Sequence, residues 1–211
     1  MNQCQTICDG KIFWLLNQDV LVPRKCTQSI IRLCRRQTSP SSPTSSTPYI
    51  QKTYHTASEY KKEKRMLLRV QGYSCFPQLQ HYMDAKLELH MSYKGLPVTP
   101  ATIPTDCKHQ VKNFYTALAK VNIQHNDLVP HNVVVNCHSN QLSLIDFGRS
   151  KKIKTGDKGT KQRAQQLVEL NALALVLCNH DRLEWYQREQ LNKTAANMKN
   201  KRTTKKQVYY N

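Results

Sequence analysis

Strand-forming residues dominate KIFWLLNQDVLV at 11–22, and a shorter apolar run, YIQKTY at 49–54, repeats the pattern. Between them TSPSSPTSSTP, residues 38–48, offers only Ser, Thr and Pro, so the stretch reads as a flexible insert. Helical spacing begins in ASEYKKEKRMLLRVQG. There Met66, Leu67 and Val70 make an apolar stripe, Ser58 is placed to cap the helix and Gly72 to end it. PQLQHYM and KLELHMSY flank Asp84-Ala85 as the arms of an antiparallel hairpin, after which GLPVTPATIPTD interrupts with prolines. Asp106 then opens a long amphipathic helix, with Val111, Phe114, Tyr115, Leu118 and Val121 at helical spacing. NVVVN and LSLIDF form a second short hairpin. AQQLVELNALALVLC is a strongly apolar helix expected to be buried, and DRLEWYQREQLNKTAANM a wetter last one. The order is strands, helix, hairpin, then helix, hairpin and two helices. It predicts an α+β fold with a natural hinge between Ser92 and Gly95.

Composition changes this picture little. The 211 residues suffice for one ordinary domain or two small lobes, and 39% hydrophobic content can fill a core. No apolar run approaches the roughly 20 residues of a membrane-spanning helix, and IFWLL is too short and too far in for a signal peptide, so a soluble, intracellular protein is expected, with no membrane partner. Eight cysteines lack any Cys-x-x-Cys pair, which removes the zinc signature; free thiols in a reducing compartment are expected.

Charge adds more. Thirty-two basic residues against 14 acidic give a net +18. Seven basic side chains crowd residues 149–163, RSKKIKTGDKGTKQR, and six crowd 193–206, KTAANMKNKRTTKK. Such density attracts acidic proteins or the phosphates of nucleic acid, and the tail alone is equally explained as a solvated nuclear-import signal. Cytoplasmic and nuclear locations both fit.

Two stretches carry candidate chemistry: HNDLVPHNVVVN at 125–136 and LIDFGRS at 144–150. Asp127 and Asn132 lie on a loop after a helix, and Asp146 follows the second strand of a hairpin. Helix, loop, strand, turn and strand would bring all three to one mouth. Two carboxylates and an amide oxygen suit Mg²⁺, a hard cation commonly shared with nucleotide phosphates. Phosphoryl transfer asks of a protein mainly positioning and charge neutralisation, and Gly148 allows a sharp turn beside the metal.

These stretches resemble the catalytic loop and the DFG triplet of the protein-kinase-like superfamily. The resemblance covers roughly residues 10–180 and implies a two-lobed protein-kinase-like fold with a truncated C-terminal lobe. Its N-terminal lobe would span 1–93 with the 38–48 insert, its C-terminal lobe 94–198, and a basic tail 199–211. It further implies ATP and Mg²⁺, with Asp127 orienting the acceptor hydroxyl and Asn132 and Asp146 holding the metal. Lys52, fixed by Glu63, would bind the nucleotide phosphates; Lys25, in VLVPRKC, is the competing lysine. Met91 would back the adenine pocket, with backbone groups near Ser92 and Lys94 meeting the base. His125 would pack as a structural residue beneath the loop, Phe147 against the Glu63 helix, and His131 would sit on the loop surface with no role.

Departures qualify the resemblance. No glycine-rich loop is recognisable beyond Gly10, Asn126 replaces the Arg that often precedes the catalytic Asp, and Val129 replaces a Lys common in Ser/Thr kinases. The chain lacks the later peptide-docking helices, an economy similar to the RIO kinases, to the small kinase of the tRNA threonylcarbamoylation complex, or to a reduced viral kinase. A serine/threonine protein kinase is therefore expected, acting on an acidic protein. A pseudokinase regulating a partner protein is the alternative, and small-molecule phosphotransfer a third reading, because HNDL also resembles the loop of choline and aminoglycoside kinases.

Overall fold

A computed structural model describes residues 4–8, 11–15, 29–35, 48–179 and 181–189. Lys25, Gly10, residues 38–47 of the insert and the 193–206 tail lie outside the described residues. The fold is mixed α/β, as the residue pattern predicts.

A first hairpin pairs β1 (Cys4–Cys8) with β2 (Lys11–Leu15). The main sheet is antiparallel, in the order β3 (Ser29–Arg35), β4 (Pro48–Tyr54), β6 (Glu88–Ser92), β5 (Leu79–Met83). Alternation along its central strands buries Lys52 and Tyr54 of β4 and Leu89 and Met91 of β6. The helix α1 (Ala57–Arg69) follows β4 directly, burying Tyr60, Glu63, Met66 and Leu67, with Val70 buried just beyond its end. Its cap is Thr56, whose hydroxyl accepts from the Glu59 N–H; Ser58, the expected cap, already lies inside the first turn.

The β5–β6 turn is a 3₁₀ turn over Asp84–Lys86 closed by Leu87 in the left-handed region. The Pro-rich stretch hides a short strand, β7 (Leu96–Pro97), which pairs with β9 (Val133–Asn136); β10 (Gln141–Leu144) lies on β9's other edge. Gly95 precedes this pairing at φ 124°, and a Cβ there would lie 2.0 Å from the Val135 carbonyl oxygen, so only glycine fits.

The helix α2 (Cys107–Lys120) buries Val111, Phe114 and Leu118, with Tyr115 and Val121 partly buried beside them. Two further short strands, β8 (Ile123–Gln124) and β11 (Lys151–Lys152), pair across the candidate loops. The helix α3 (Gly156–Leu177) starts earlier than its apolar half predicts and is not fully buried. Gln166, Leu170, Leu173 and Leu177 face the core, while Val168 and Leu175 are 62% and 59% exposed. A last helix, α4 (181–189), buries Leu183.

Cys107 and Cys178 form a disulfide between the start of α2 and the point just after α3. This corrects the expectation of free thiols for these two. They are 71 residues apart, and antiparallel helices bring together what spacing in the chain cannot reveal. Cys34 and Cys75 remain thiols, and burial pushes the Cys75 thiol up to about 11. No described helix is long and apolar enough to cross a membrane.

One continuous apolar core joins the sheet and α1 to α2, α3 and the β9–β10 hairpin. Phe76 sits at its centre, its ring 5.4 Å from Phe147, 6.2 Å from Tyr73 and 6.4 Å from Phe114.

Candidate active site

Lys52 stands on the buried face of β4, and the turn of α1 that faces it carries Glu63. The Lys52 ammonium lies 2.8 Å from Glu63 Oε2 and 3.1 Å from Asp146 Oδ1. Three residues distant in sequence thus meet around one cation. Burial acts to lower the lysine's affinity for its proton, but the two carboxylates outweigh it and raise it. For Asp146, burial acts upward and Lys52 prevails, holding the carboxyl below its usual range. Glu63 moves the other way, because burial acts upward more strongly than Lys52 pulls down. The Lys52 direction is the decisive one, since a single ammonium between two carboxylates keeps its charge at neutral pH.

Asp146 adopts φ 65°, a left-handed conformation rare outside glycine, and accepts the Gly148 N–H with the same Oδ1 that meets Lys52. A Cβ on Gly148 would lie 3.1 Å from Glu63 Oε2 and 3.3 Å from Asp146 Oδ1, so the glycine admits both carboxylates to one place.

Asp127 sits on the loop after β8. Asn132, 3% exposed, donates its side-chain N–H groups to the Asp127 carbonyl and to Asp127 Oδ2, both at 2.9 Å. Arg149 reaches Asp127 Oδ1 at 3.4 Å from the surface. Beneath the loop, His125 is fully buried against Phe147 with ring centroids 4.9 Å apart, and its Nε2 meets the Ile145 carbonyl at 3.1 Å. Burial lowers its pKa to about 4, so the ring is neutral and structural. Phe147 packs between His125 and Phe76, with its turn against α1.

The supports of this loop were not legible in advance. Gln166 of α3, itself fully buried, accepts the His125 N–H and donates to the Ile123 carbonyl. Ser150 donates its hydroxyl to the His125 carbonyl, and Asn126, left-handed at φ 61°, donates to the Arg149 carbonyl. Asn126 therefore ties the two candidate loops together by an amide, where the superfamily often has an Arg. A Gln within a helix gives no sequence signal of such a role.

The expected adenine contacts are placed less directly. Met91 is buried in β6 opposite Ile50. Ser92 gives its N–H to the Gln78 carbonyl and accepts the Gln78 N–H on its hydroxyl; Lys94 donates to the Ser74 carbonyl. Both side chains are thus engaged by the 74–78 loop. His131 has a partner as well: its Nδ1 lies 2.7 Å from the Tyr186 hydroxyl, and the rings stack.

For a divalent cation the fit is reasonable. Asn132 spends its N–H groups on Asp127, leaving the amide oxygen to accept, and Asp146 uses Oδ1 for Lys52 and Gly148, leaving Oδ2. No three His, Cys, Asp or Glu residues converge on one point among the described residues, so two such oxygens would need phosphate oxygens or water to complete a shell.

Residues 86–199, more than half the chain and including both candidate loops, match the model of the lipopolysaccharide kinase (Kdo/WaaP) family. The chain belongs to that family. As a Kdo/WaaP member it is a phosphotransferase of the protein-kinase-like superfamily that uses ATP. No curated protein sequence matches it. Membership overturns the expected acceptor: this family's kinases act on lipopolysaccharide sugars, so transfer to a protein Ser/Thr hydroxyl is not supported. The physical reason for the error is that the expectation rested on the Asp127 and Asp146 loops, whose residue types are common to the superfamily. They carry no mark of the acceptor. The Kdo/WaaP match starts at Lys86, beyond β4 and α1, so Lys52 and Glu63 rest on geometry alone.

Proposed function

We propose that the chain transfers the γ-phosphoryl group of ATP to a sugar hydroxyl of a lipopolysaccharide. The Kdo/WaaP match of residues 86–199 supports the acceptor, and the Lys52 ammonium held between Glu63 and Asp146, beside a loop in which Asn132 fixes Asp127, supports the transfer itself. Lys52 binds the nucleotide's phosphates, and Glu63 keeps its ammonium extended. Asn132 and Asp146 would hold Mg²⁺, which would neutralise phosphate charge. Asp127 accepts a hydrogen bond from the acceptor hydroxyl, aims its oxygen at phosphorus and takes the proton late in transfer. In the resting geometry Arg149 occupies Asp127 Oδ1, so the acceptor displaces it.

Exposed Lys151, Lys152, Lys154 and Lys158 follow Arg149 directly and favour an acceptor that carries negative charge of its own. The sheet with α1 and the part beyond Gly95 act as two lobes, with nucleotide between them. The test is label transfer from γ-labelled ATP to purified lipopolysaccharide. Asp127→Asn is expected to lower the rate by roughly 10²–10⁴, the usual worth of a general base. Transfer undiminished in that variant refutes the assignment.

A further inference from the structure

The outer side of α1 carries a second feature, which the chemistry around Lys52 does not use. A cleft of about 650 Å³ lies between α1 and the β5–β6 turn, lined by Tyr60, Lys61, Lys64, Arg65, Leu68 and Arg69 with Asp84 and Leu87. Lys61, Lys64, Arg65 and Leu68 are spaced i, i+3, i+4, i+7 and so form one stripe. Glu63, Leu67 and Val70 lie on the buried side. The lone acid is already engaged: Asp84 Oδ1 accepts from Lys64 at 2.7 Å and from the Tyr60 hydroxyl at 2.6 Å. Lys61, Arg65 and Arg69 form no ion pair among the described residues. Apolar surface accompanies the charge. Leu68 is 50% exposed, and Tyr82, under the Lys64 ammonium at 3.5 Å, is 45% exposed.

We infer that this cleft docks an acidic segment of a partner protein through an apolar anchor. The anchor settles on Leu68 and Leu87, and flanking carboxylates meet Lys61, Arg65 and Arg69. Charge argues against the chain's own ends as occupant: residues 1–47 hold only Asp9 and Asp19 as acids, and residues 190–211 hold none. A second copy of a chain with net +18 is repelled for the same reason. The cleft is shallow and open, so the experiment sets an inserted apolar side chain against a lipid surface.

Docking has a consequence for the site on the helix's other side. The segment that contacts Lys61, Lys64 and Arg65 contacts the turn carrying Glu63, 2.8 Å from Lys52. Occupancy therefore steadies the Glu63–Lys52 pair, and by linkage bound nucleotide strengthens docking by the same factor. This coupling, unlike the docking, rests on the phosphotransferase reading.

The experiment uses the full chain and a short fluorescein-labelled peptide of Asp and Glu around a central Phe-Phe pair, followed by anisotropy. Saturable binding is expected, weakened about tenfold or more by Lys61→Glu/Arg65→Glu and separately by Leu68→Asp. Each variant is matched to wild type by thermal unfolding, and all three positions are exposed. Equal affinity for the polyacid without Phe, or for the variants, overturns the proposal. So does binding to phosphatidylglycerol vesicles with none to the peptide, which assigns the cleft to a membrane. A non-hydrolysable ATP analogue with Mg²⁺ is expected to tighten the peptide about fivefold, at the low end of allosteric couplings. Nucleotide that binds without changing peptide affinity overturns the coupling. A chain that binds the peptide but no nucleotide upholds the docking surface and refutes the phosphotransferase reading instead.

Discussion

The β3–β6 sheet with α1 and the region built from α2, α3 and the short strands each hold one half of the candidate site, by different means. The first relies on charge. Its contribution is a buried ion pair, Lys52–Glu63, in which neither partner exceeds 7% side-chain exposure. The second relies mainly on amide and hydroxyl donors and acceptors: Gln166, Ser150, Asn126 and Asn132 hold the backbone and side chains around His125 and Asp127. A buried ion pair is sensitive to the loss of one member, because the other charge stays behind. An amide network loses one or two bonds at a time. The two halves should therefore fail differently.

The largest effect is expected from Lys52→Met, which leaves Glu63 buried without its cation at a cost of about 3–5 kcal/mol. Adding Glu63→Leu should restore most of that stability in urea titrations without restoring phosphate transfer. A double variant as unstable as the single one would break the contrast. Next comes acid. Unfolded His125 takes a proton near pH 6.5, whereas the buried ring resists it until about 4. The unfolded chain thus binds more protons between those values, and stability falls as pH drops through them. The loss is about 3 kcal/mol in full, absent in His125→Asn, whose lower baseline should not slope in the same window. Parallel pH slopes for the two proteins would remove His125 as the cause.

Gln166→Leu should cost roughly 1–3 kcal/mol by leaving the His125 N–H and the Ile123 carbonyl unpaired. It should also lower kcat more than the KM for ATP, since it loosens Asp127's loop and not Lys52. A selective rise in the KM for ATP would contradict that division. The smallest effect belongs to Arg149→Ala, which removes an exposed ion pair worth about 0–1 kcal/mol. Its stability should be unchanged, while the KM for the lipopolysaccharide acceptor moves. A drop in melting temperature would mean that Arg149 supports the fold.

The same contrast explains what could be read from the chain. Asp127, Asn132 and Asp146 are legible because their loops are local and their order is diagnostic. Lys52 and Glu63 follow from a strand with its next helix. Most strands and helices were also visible in their apolar spacing, apart from β1, β3, β7, β8 and β11, which are short or mix polar and charged residues among the apolar ones. Gln166, Ser150 and Phe76 were not, because their roles exist only once α3 and the 73–76 turn are packed against loops far away in sequence. The acceptor was misread for a related reason, since the motif residues look alike across the superfamily whatever receives the phosphate.

The Cys107–Cys178 bond closes a loop that contains α2, both candidate aspartates and all of α3. The part of the chain that holds both aspartates is therefore a covalent ring. A protease that cuts once in the exposed Lys151–Lys158 stretch opens the ring without releasing a fragment. Such a nicked molecule would run as one band without reductant and as two with it. Asp127 and Asp146, on the same side of the cut, would stay on one piece, while α3 with Gln166 would be joined to them only through sulfur and packing.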